Sequence, residues 1–204
     1  MLAGFRHLLG FLSPTEQRAM LAEIAGLVAA APLYRATMPR TGKPLSVEMT
    51  NAGPLGWYSD RAGYRYEPRH PLTGAPWPPI PPSVLAVWEA VAAYHHPPEA
   101  CLVNVYRGPA RMGLHQDRDE AAMDAPVVSI SLGQAALFRI GKDRKGPTQS
   151  MTLESGGVMV LAGPARMAFH GIDRLVGNDP GLLAEAGLGE GRINLTLRRV
   201  TVPA

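Results

Sequence analysis

Residues 104–119 read Asn104-Val-Tyr-Arg-Gly-Pro-Ala-Arg-Met-Gly-Leu-His-Gln-Asp-Arg-Asp119, and the rest of the chain can be read as support for this stretch. It opens as a strand and runs to His115 and Asp117, a histidine and a carboxylate one residue apart. On extended backbone side chains alternate with period two, so positions i and i+2 point the same way and both can reach one ion. A lone His-x-Asp pair is common by chance, and taken alone it reads as structural.

A third donor raises its weight. His170 closes the segment Gly163-Pro-Ala-Arg-Met-Ala-Phe-His170, about fifty residues after the pair. Two histidines and one carboxylate are the ingredients of the facial triad of non-haem Fe(II) oxygenases, which occupies one face of the ion and leaves the other for a co-substrate and dioxygen. The final strand points the same way. In Arg192-Ile-Asn-Leu-Thr-Leu-Arg198, alternation places Arg192, Asn194, Thr196 and Arg198 on one face and Ile193, Leu195 and Leu197 on the other. At ~3.3 Å per residue the two arginine Cα atoms lie roughly 20 Å apart, so both side chains must lean inward to share a short dicarboxylate. Arginine suits that ligand, because its planar fork binds carboxylate bidentately and stays charged inside a protein. Standing alone, the same strand also reads as an exposed edge strand with solvated arginines.

Outward from these segments the chain divides by pattern. Ser13-Pro14-Thr15-Glu16 is a capping box with proline at the first helical position, and Met20, Leu21, Ile24, Leu27 and Val28 follow at helical spacing. They predict a helix over about 14–29. A second helix begins at Ser83, with an apolar stripe through Val84, Leu85, Val87, Trp88, Val91 and Ala92, and His96-Pro97-Pro98 closes it. His95 and His96 read as a helix end, since adjacent helical residues do not face each other and neither has a partner at i+4. Strands are predicted over 101–106, 127–132, 136–140, 150–153, 158–161 and 192–200. In the second, Val128, Ile130 and Leu132 oppose Ser129 and Ser131. The basic turn between Ile140 and Gln149 reads as a hairpin tip.

Between about 37 and 82 no periodic segment survives, and Trp57, Tyr58, Tyr64, Tyr66 and Trp77 are interleaved with Arg40, Lys43, Arg61, Arg65 and Arg69. The plain reading is an irregular flap whose rings pack on the domain. The functional reading is a lid with flat faces for base stacking and cations for phosphates.

The chain's 204 residues suit one domain, and 22 Gly with 20 Pro favour short strands and turns, hence an α+β, mainly β protein. A net charge of +3 permits contact with a polyanion without requiring it. The single cysteine, Cys101, excludes an internal disulfide and suits a reducing compartment. Arg6 and His7 interrupt the apolar run from Leu2 to Leu12, which argues against a secretion signal, and no apolar run reaches the ~20 residues of a membrane helix. A cytoplasmic monomer without membrane association is expected.

Asn104-Val-Tyr106, His115-Gln-Asp117-Arg-Asp119-Glu120, Ala125-Pro-Val-Val-Ser-Ile-Ser-Leu-Gly133, His170-Gly-Ile172 and Arg192 to Arg198 together resemble the AlkB family of Fe(II)- and 2-oxoglutarate-dependent nucleic-acid dealkylases. The resemblance extends upstream through Met49-Thr-Asn-Ala-Gly-Pro-Leu-Gly-Trp57, Gly63-Tyr-Arg-Tyr66 and Pro76-Trp-Pro78, with motifs in the same order across about 150 residues. It implies a double-stranded β-helix, or jelly roll, over about 100–204, with N-terminal helices and an aromatic nucleotide-recognition lid over about 37–82. It also implies Fe(II), 2-oxoglutarate and O2 as cofactors, with His115, Asp117 and His170 as iron ligands. Arg192 would hold the distal carboxylate of 2-oxoglutarate with Tyr106 and Asn104, and Asn194 and Arg198 the end nearer the metal.

The implied substrate is an alkylated base in DNA, of the 1-methyladenine or 3-methylcytosine type, demethylated with release of formaldehyde. Trp57, Tyr64, Tyr66 and Asp119 match positions that contact it. Asp119 suits such bases, which are cationic, although it also reads as one more acid in a surface cluster. In the turn after Ile140, Lys142 replaces a glycine of the family pattern, and Lys145, or Arg144 beside it, stands where one arginine approaches substrate. Ile193 replaces a tyrosine on the apolar face. Two other readings stay open: a demethylase or hydroxylase of RNA or tRNA bases, and an inactive nucleic-acid-binding module.

Overall fold

Arg192–Arg198 does not form an edge. In the computed structural model, which describes residues 2–203, it is the last of twelve strands and lies inside the larger sheet. In chain order the elements are β1 (Phe5–Leu8), α1 (Pro14–Ala30), β2 (Glu48–Ala52), β3 (Gly56–Asp60), β4 (Gly63–Glu67), α2 (Pro82–Val91), β5 (Ala100–Tyr106), β6 (Met112–His115), β7 (Val127–Gly133), β8 (Ala136–Gly141), β9 (Gln149–Leu153), β10 (Val158–Leu161), β11 (Phe169–Leu175), α3 (Leu182–Glu185) and β12 (Arg192–Arg198). The larger sheet has the order β1-β10-β7-β12-β5-β2, the smaller β6-β11-β8-β9, and β3 and β4 form a separate hairpin. Every named pairing is antiparallel. The two sheets make the expected jelly roll.

The alternation in β12 and β7 sorts their residues as expected. Ile193, Leu195, Leu197, Val128, Ile130 and Leu132 join Met20, Leu21, Ile24, Val84, Val87 and Trp88 in one core, so α1 and α2 cover the outer face of the larger sheet. Burying such a side chain fully is worth about 1.5–3 kcal/mol. The opposite face meets the smaller sheet, where Tyr106, Val127, Met159 and Leu161 pack with Phe138, Ile140, Leu153 and Ile172. A strand whose one face is apolar and whose other carries four polar groups is stable here because each face has its own layer.

The first helix follows its sequence signals. Ser13 Oγ accepts from the Glu16 amide and the Glu16 carboxylate accepts from the Ser13 amide, which closes the capping box. The second helix ends earlier than expected. It stops at Val91, and Ala93 takes a positive φ of 49°, so His95 and His96 lie beyond it in irregular chain.

Three further elements depart from the sequence reading. Part of the segment assigned to the lid is core: β2 pairs with β5 through Glu48 to Ala52, and Met49 is wholly buried. The run after Leu2 contributes β1, paired with β10 at the edge of the larger sheet. Short β6 and the longer β11, neither predicted as a separate strand, supply half of the smaller sheet. Among the described residues no helix is long and apolar enough to cross a membrane.

Candidate active site

The β6–β11 pairing sets His115 directly opposite His170, so the ladder closes the fifty-five-residue gap between them. Gly171 is required for this. A Cβ there would sit 2.5 Å from Met112 O and 2.9 Å from Gly113 O, closer than a side chain tolerates. β6 ends at His115, and Asp117 follows two residues later, fully enclosed against the two rings. His115 Nε2 lies 3.7 Å from Asp117 Oδ1, and His170 Nε2 lies 3.8 Å from Asp117 Oδ2. One donor atom from each of the three lies within 4.8 Å of the others.

Backbone carbonyls orient both rings. His115 Nδ1 donates to Gly113 O at 2.9 Å, and His170 Nδ1 donates to Ala168 O at 3.0 Å, which assigns the proton to Nδ1 and leaves each Nε2 lone pair facing Asp117. Burial pushes the His170 imidazole down to about 4, so it is neutral at pH 7, as a metal ligand must be. Burial works against ionisation of Asp117, but Arg198, then His170, His115 and Arg166, outweigh it and hold the carboxyl well below the usual range.

The three donors line a cavity of about 360 Å³ between the sheets. Asn104, Tyr106, Asn194 and Arg198 line its inner part, and Trp57, Tyr64, Asp119 and Arg144 its mouth. Arg192 does not itself line the cavity and is 0% exposed behind it. Its Nη2 donates to Ser131 Oγ at 2.6 Å, and its Nη1 to Leu153 O at 3.1 Å and Gln134 O at 3.3 Å. Burial lowers the guanidinium to about 10, still charged at neutral pH. Among the described residues its titratable neighbour is the Tyr106 phenol, which burial pushes up to about 12 and so keeps protonated and neutral.

Five buried polar atoms here lack hydrogen bonds: Asp117 Oδ2, Asn104 Oδ1, Arg192 Nε, and Arg198 Nε and Nη1. Each such atom costs about 1–3 kcal/mol. Arg198 Nε does lie 3.4 Å from Glu120 Oε1, near enough for Coulomb attraction but outside hydrogen-bond alignment. One free carboxylate oxygen beside two imidazole nitrogens fits a divalent metal. The unpaired guanidinium nitrogens fit a carboxylate-bearing co-substrate, whereas Asn104 Oδ1, an acceptor, calls for a donor.

At the mouth, Trp57 and Tyr64 stack on each other with centroids 5.6 Å apart at 22°, and Tyr64 is 54% exposed. Trp57 Nε1 donates to Asp119 Oδ2. Tyr66, expected at substrate, is not among the cavity-lining residues, and its hydroxyl donates to Glu120 Oε1. In the turn after β8, where the sequence left Arg144 and Lys145 open, Arg144 lines the cavity and Lys145, exposed, does not.

Comparison with known proteins agrees with this geometry. Residues 4–198 match the family described as the 2OG-Fe(II) oxygenase superfamily. A Caulobacter vibrioides protein named alpha-ketoglutarate-dependent dioxygenase AlkB homolog is 52% identical over 96% of this chain and 87% of its own length. The chain belongs to the AlkB family. The Escherichia coli alpha-ketoglutarate-dependent dioxygenase AlkB is 40% identical over 84% of this chain and 80% of its own. The solved structure of OsALKBH1 superposes with a TM-score of 0.79 at 31% identity, covering 98% of this chain and 100% of that one. An AlkB-family protein is a dioxygenase with Fe(II), 2-oxoglutarate and O2 as its cofactors, and the cluster of His115, Asp117 and His170 is consistent with that.

Sequence reasoning did not single out Glu120, Arg166, Ser129 or Ser131. Arg166 is 3% exposed and donates to Asp117 O, Ala125 O and Glu120 Oε2. Ser129 accepts from Asn194 at 2.6 Å, as Ser131 does from Arg192. The serines had a signal, since alternation in β7 puts them on the polar face. Glu120 and Arg166 had none beyond their neighbourhood to Asp119 and His170.

Proposed function

We propose that the chain is an oxidative demethylase of alkylated bases in DNA, of the 1-methyladenine and 3-methylcytosine type, working as a cytoplasmic monomer built as one dioxygenase domain. The observation that carries the reading is Arg192: a fully buried guanidinium with an unpaired Nε and, among the described residues, no acid beside it. A buried charge without a partner is costly, and a ligand carboxylate relieves it. His115, Asp117 and His170 would hold Fe(II). Arg192, Tyr106 and Asn104 would hold the distal carboxylate of 2-oxoglutarate, and Asn194 and Arg198 the end nearer the metal.

When bound, Fe(II), 2-oxoglutarate and O2 supply the oxidation of an N-methyl carbon to hydroxymethyl, with succinate and carbon dioxide as co-products. The adduct then expels formaldehyde and leaves the repaired base. The residues of the chain do the rest. Trp57 and Tyr64 offer an aromatic face for a base drawn out of its stack, and Asp119 favours a cationic base over a neutral one. Arg144 places a cation at the same mouth for a phosphate, a role in which it replaces Lys145. Apolar walls from Phe138, Leu153, Met159 and Leu161 exclude water from the inner cavity. The lid comprises the β3–β4 hairpin and its flanks, without β2. The buried Cys101 thiol, pushed up to about 12 by burial, is inert and accords with a reducing compartment.

The test is formaldehyde release from oligonucleotides carrying 1-methyladenine or 3-methylcytosine, with matched DNA and RNA arms, by protein loaded with Fe(II) and 2-oxoglutarate. Turnover is expected on DNA. Full metal loading with turnover of neither lesion would overturn the reading, and activity confined to the RNA arm would reassign the substrate.

A further inference from the structure

Asp117 and Arg198 could form a two-pronged pair, the favoured geometry for carboxylate and guanidinium, and they do not. Only Arg198 Nη2 reaches the carboxylate, donating to Oδ1 at 2.9 Å, while Oδ2 is left without a hydrogen bond on the side of His170. Arg198 Nη1 has no partner, and the Nε edge of the guanidinium faces a second acid. Its Nε lies 3.4 Å from Glu120 Oε1, and Glu120 is itself enclosed, with a side chain 1% exposed. Three groups fix this carboxylate: Arg166 Nη2 at 2.9 Å on Oε2, the Tyr66 hydroxyl on Oε1, and Arg198 on the same oxygen. Arg166 also donates to the Asp117 carbonyl at 2.5 Å, so one guanidinium grips the ligand's backbone and the competing acid together.

From this we infer that Glu120 is a positioning residue for the metal site: its charge, 3.4 Å from Arg198 Nε without a hydrogen bond to it, draws the guanidinium toward itself, so that Arg198 meets Asp117 through Nη2 alone and Oδ2 stays free for the metal. Tyr66 and Arg166 act through it, Tyr66 from the β3–β4 hairpin and Arg166 from the segment before β11. The charges agree with this division of labour. Two guanidiniums, Arg166 and Arg198, face two carboxylates, Asp117 and Glu120, in a nearly dry site. Removing the charge of Glu120 leaves Asp117 as the single acid for both, and the added pull falls on the oxygen that must bind metal. The inference rests on His115, Asp117 and His170 being the metal ligands, but requires no particular substrate.

The experiment measures Co(II) affinity of the metal-stripped full chain by absorption titration, well below the melting temperature of each variant. Glu120→Gln keeps the size of the side chain and removes its charge, and is expected to weaken Co(II) by about 10–100-fold, the usual cost of losing a group that orients a ligand. Tyr66→Phe keeps the ring and loses only the hydroxyl, and is expected to weaken Co(II) several-fold in the same direction. Glu120→Asp restores the charge and should recover part of the loss. A residue that only packs the fold would lower the melting temperature and leave the affinity of the folded protein unchanged. Folded Glu120→Gln and Tyr66→Phe proteins that bind Co(II) within twofold of wild type overturn the inference; if Glu120→Gln does not fold, Tyr66→Phe decides it. Because no nucleic acid enters the titration, a failed demethylation assay leaves this result standing, and the reverse.

Discussion

The indole of Trp57 donates to the carboxylate of Asp119 at 2.9 Å, joining two residues 62 positions apart at the cavity mouth. The same indole stacks on Tyr64, so one side chain carries the aromatic face and anchors the acid beside it. A base that settles on this face meets a fixed negative charge.

Asp119→Asn keeps the hydrogen-bond acceptor and removes the charge. A unit charge pair about 4 Å apart in water is worth roughly 1 kcal/mol, or about fivefold. Turnover of a cationic methylated base is expected to fall by at least that factor, with turnover of a neutral methylated base unchanged. Trp57→Phe, which keeps an aromatic face but frees Asp119, should move selectivity the same way by less. Steady-state kinetics on paired lesions checks this, and equal losses on both bases would refute the role.

Arg192→Met replaces the buried guanidinium with an apolar chain of similar length. Truncating one side of a buried charge pair costs about 2–5 kcal/mol, so KM for 2-oxoglutarate should rise roughly thirty-fold or more. The methylated-base KM should hold. An unchanged 2-oxoglutarate KM would place the distal carboxylate elsewhere.

The metal-free protein should lose stability as pH falls from about 6.5 to about 4. In the unfolded chain an imidazole takes up its proton below about 6.5. Burial delays this in folded His170 to about 4. Between those values the unfolded state binds more protons, so acid favours unfolding, by about 3 kcal/mol across the window. Thermal melts at stepped pH should show this slope, His170→Gln should flatten it, and bound divalent metal should oppose it because metal binds the neutral ring.

Ser13→Ala removes the oxygen that accepts from the Glu16 amide at 3.3 Å. Loss of such a cap costs about 0.5–2 kcal/mol. A lower melting temperature with unchanged kinetics is expected, since α1 packs on the outer face of the larger sheet, away from the cavity.

The sequence was most informative where a pattern is local. The capping box and stripe of α1 match the structure to within a residue, and the alternation in β7 and β12 assigned each side chain to its face. It was least informative where a short strand depends on its partner. Glu48–Ala52 carries Glu, Thr and Asn and no alternating apolar face, and it is a core strand because β5 offers it a ladder. β6, only four residues long with a glycine inside, owes its existence to β11 in the same way.

For the site, the division is similar. Sequence by itself determined the chemistry available: His115, Asp117 and His170 as donors, and Arg192, Asn194 and Arg198 on one polar face, because residue identity and period two are properties of the chain alone. Only the tertiary structure decided that His115 stands opposite His170, that Arg144 and not Lys145 lines the mouth, that Tyr66 turns its hydroxyl to Glu120, and that Arg166 bridges the Asp117 carbonyl and the Glu120 carboxylate. Those are matters of register and burial, and both are set by packing between segments far apart in the chain, which no local pattern encodes.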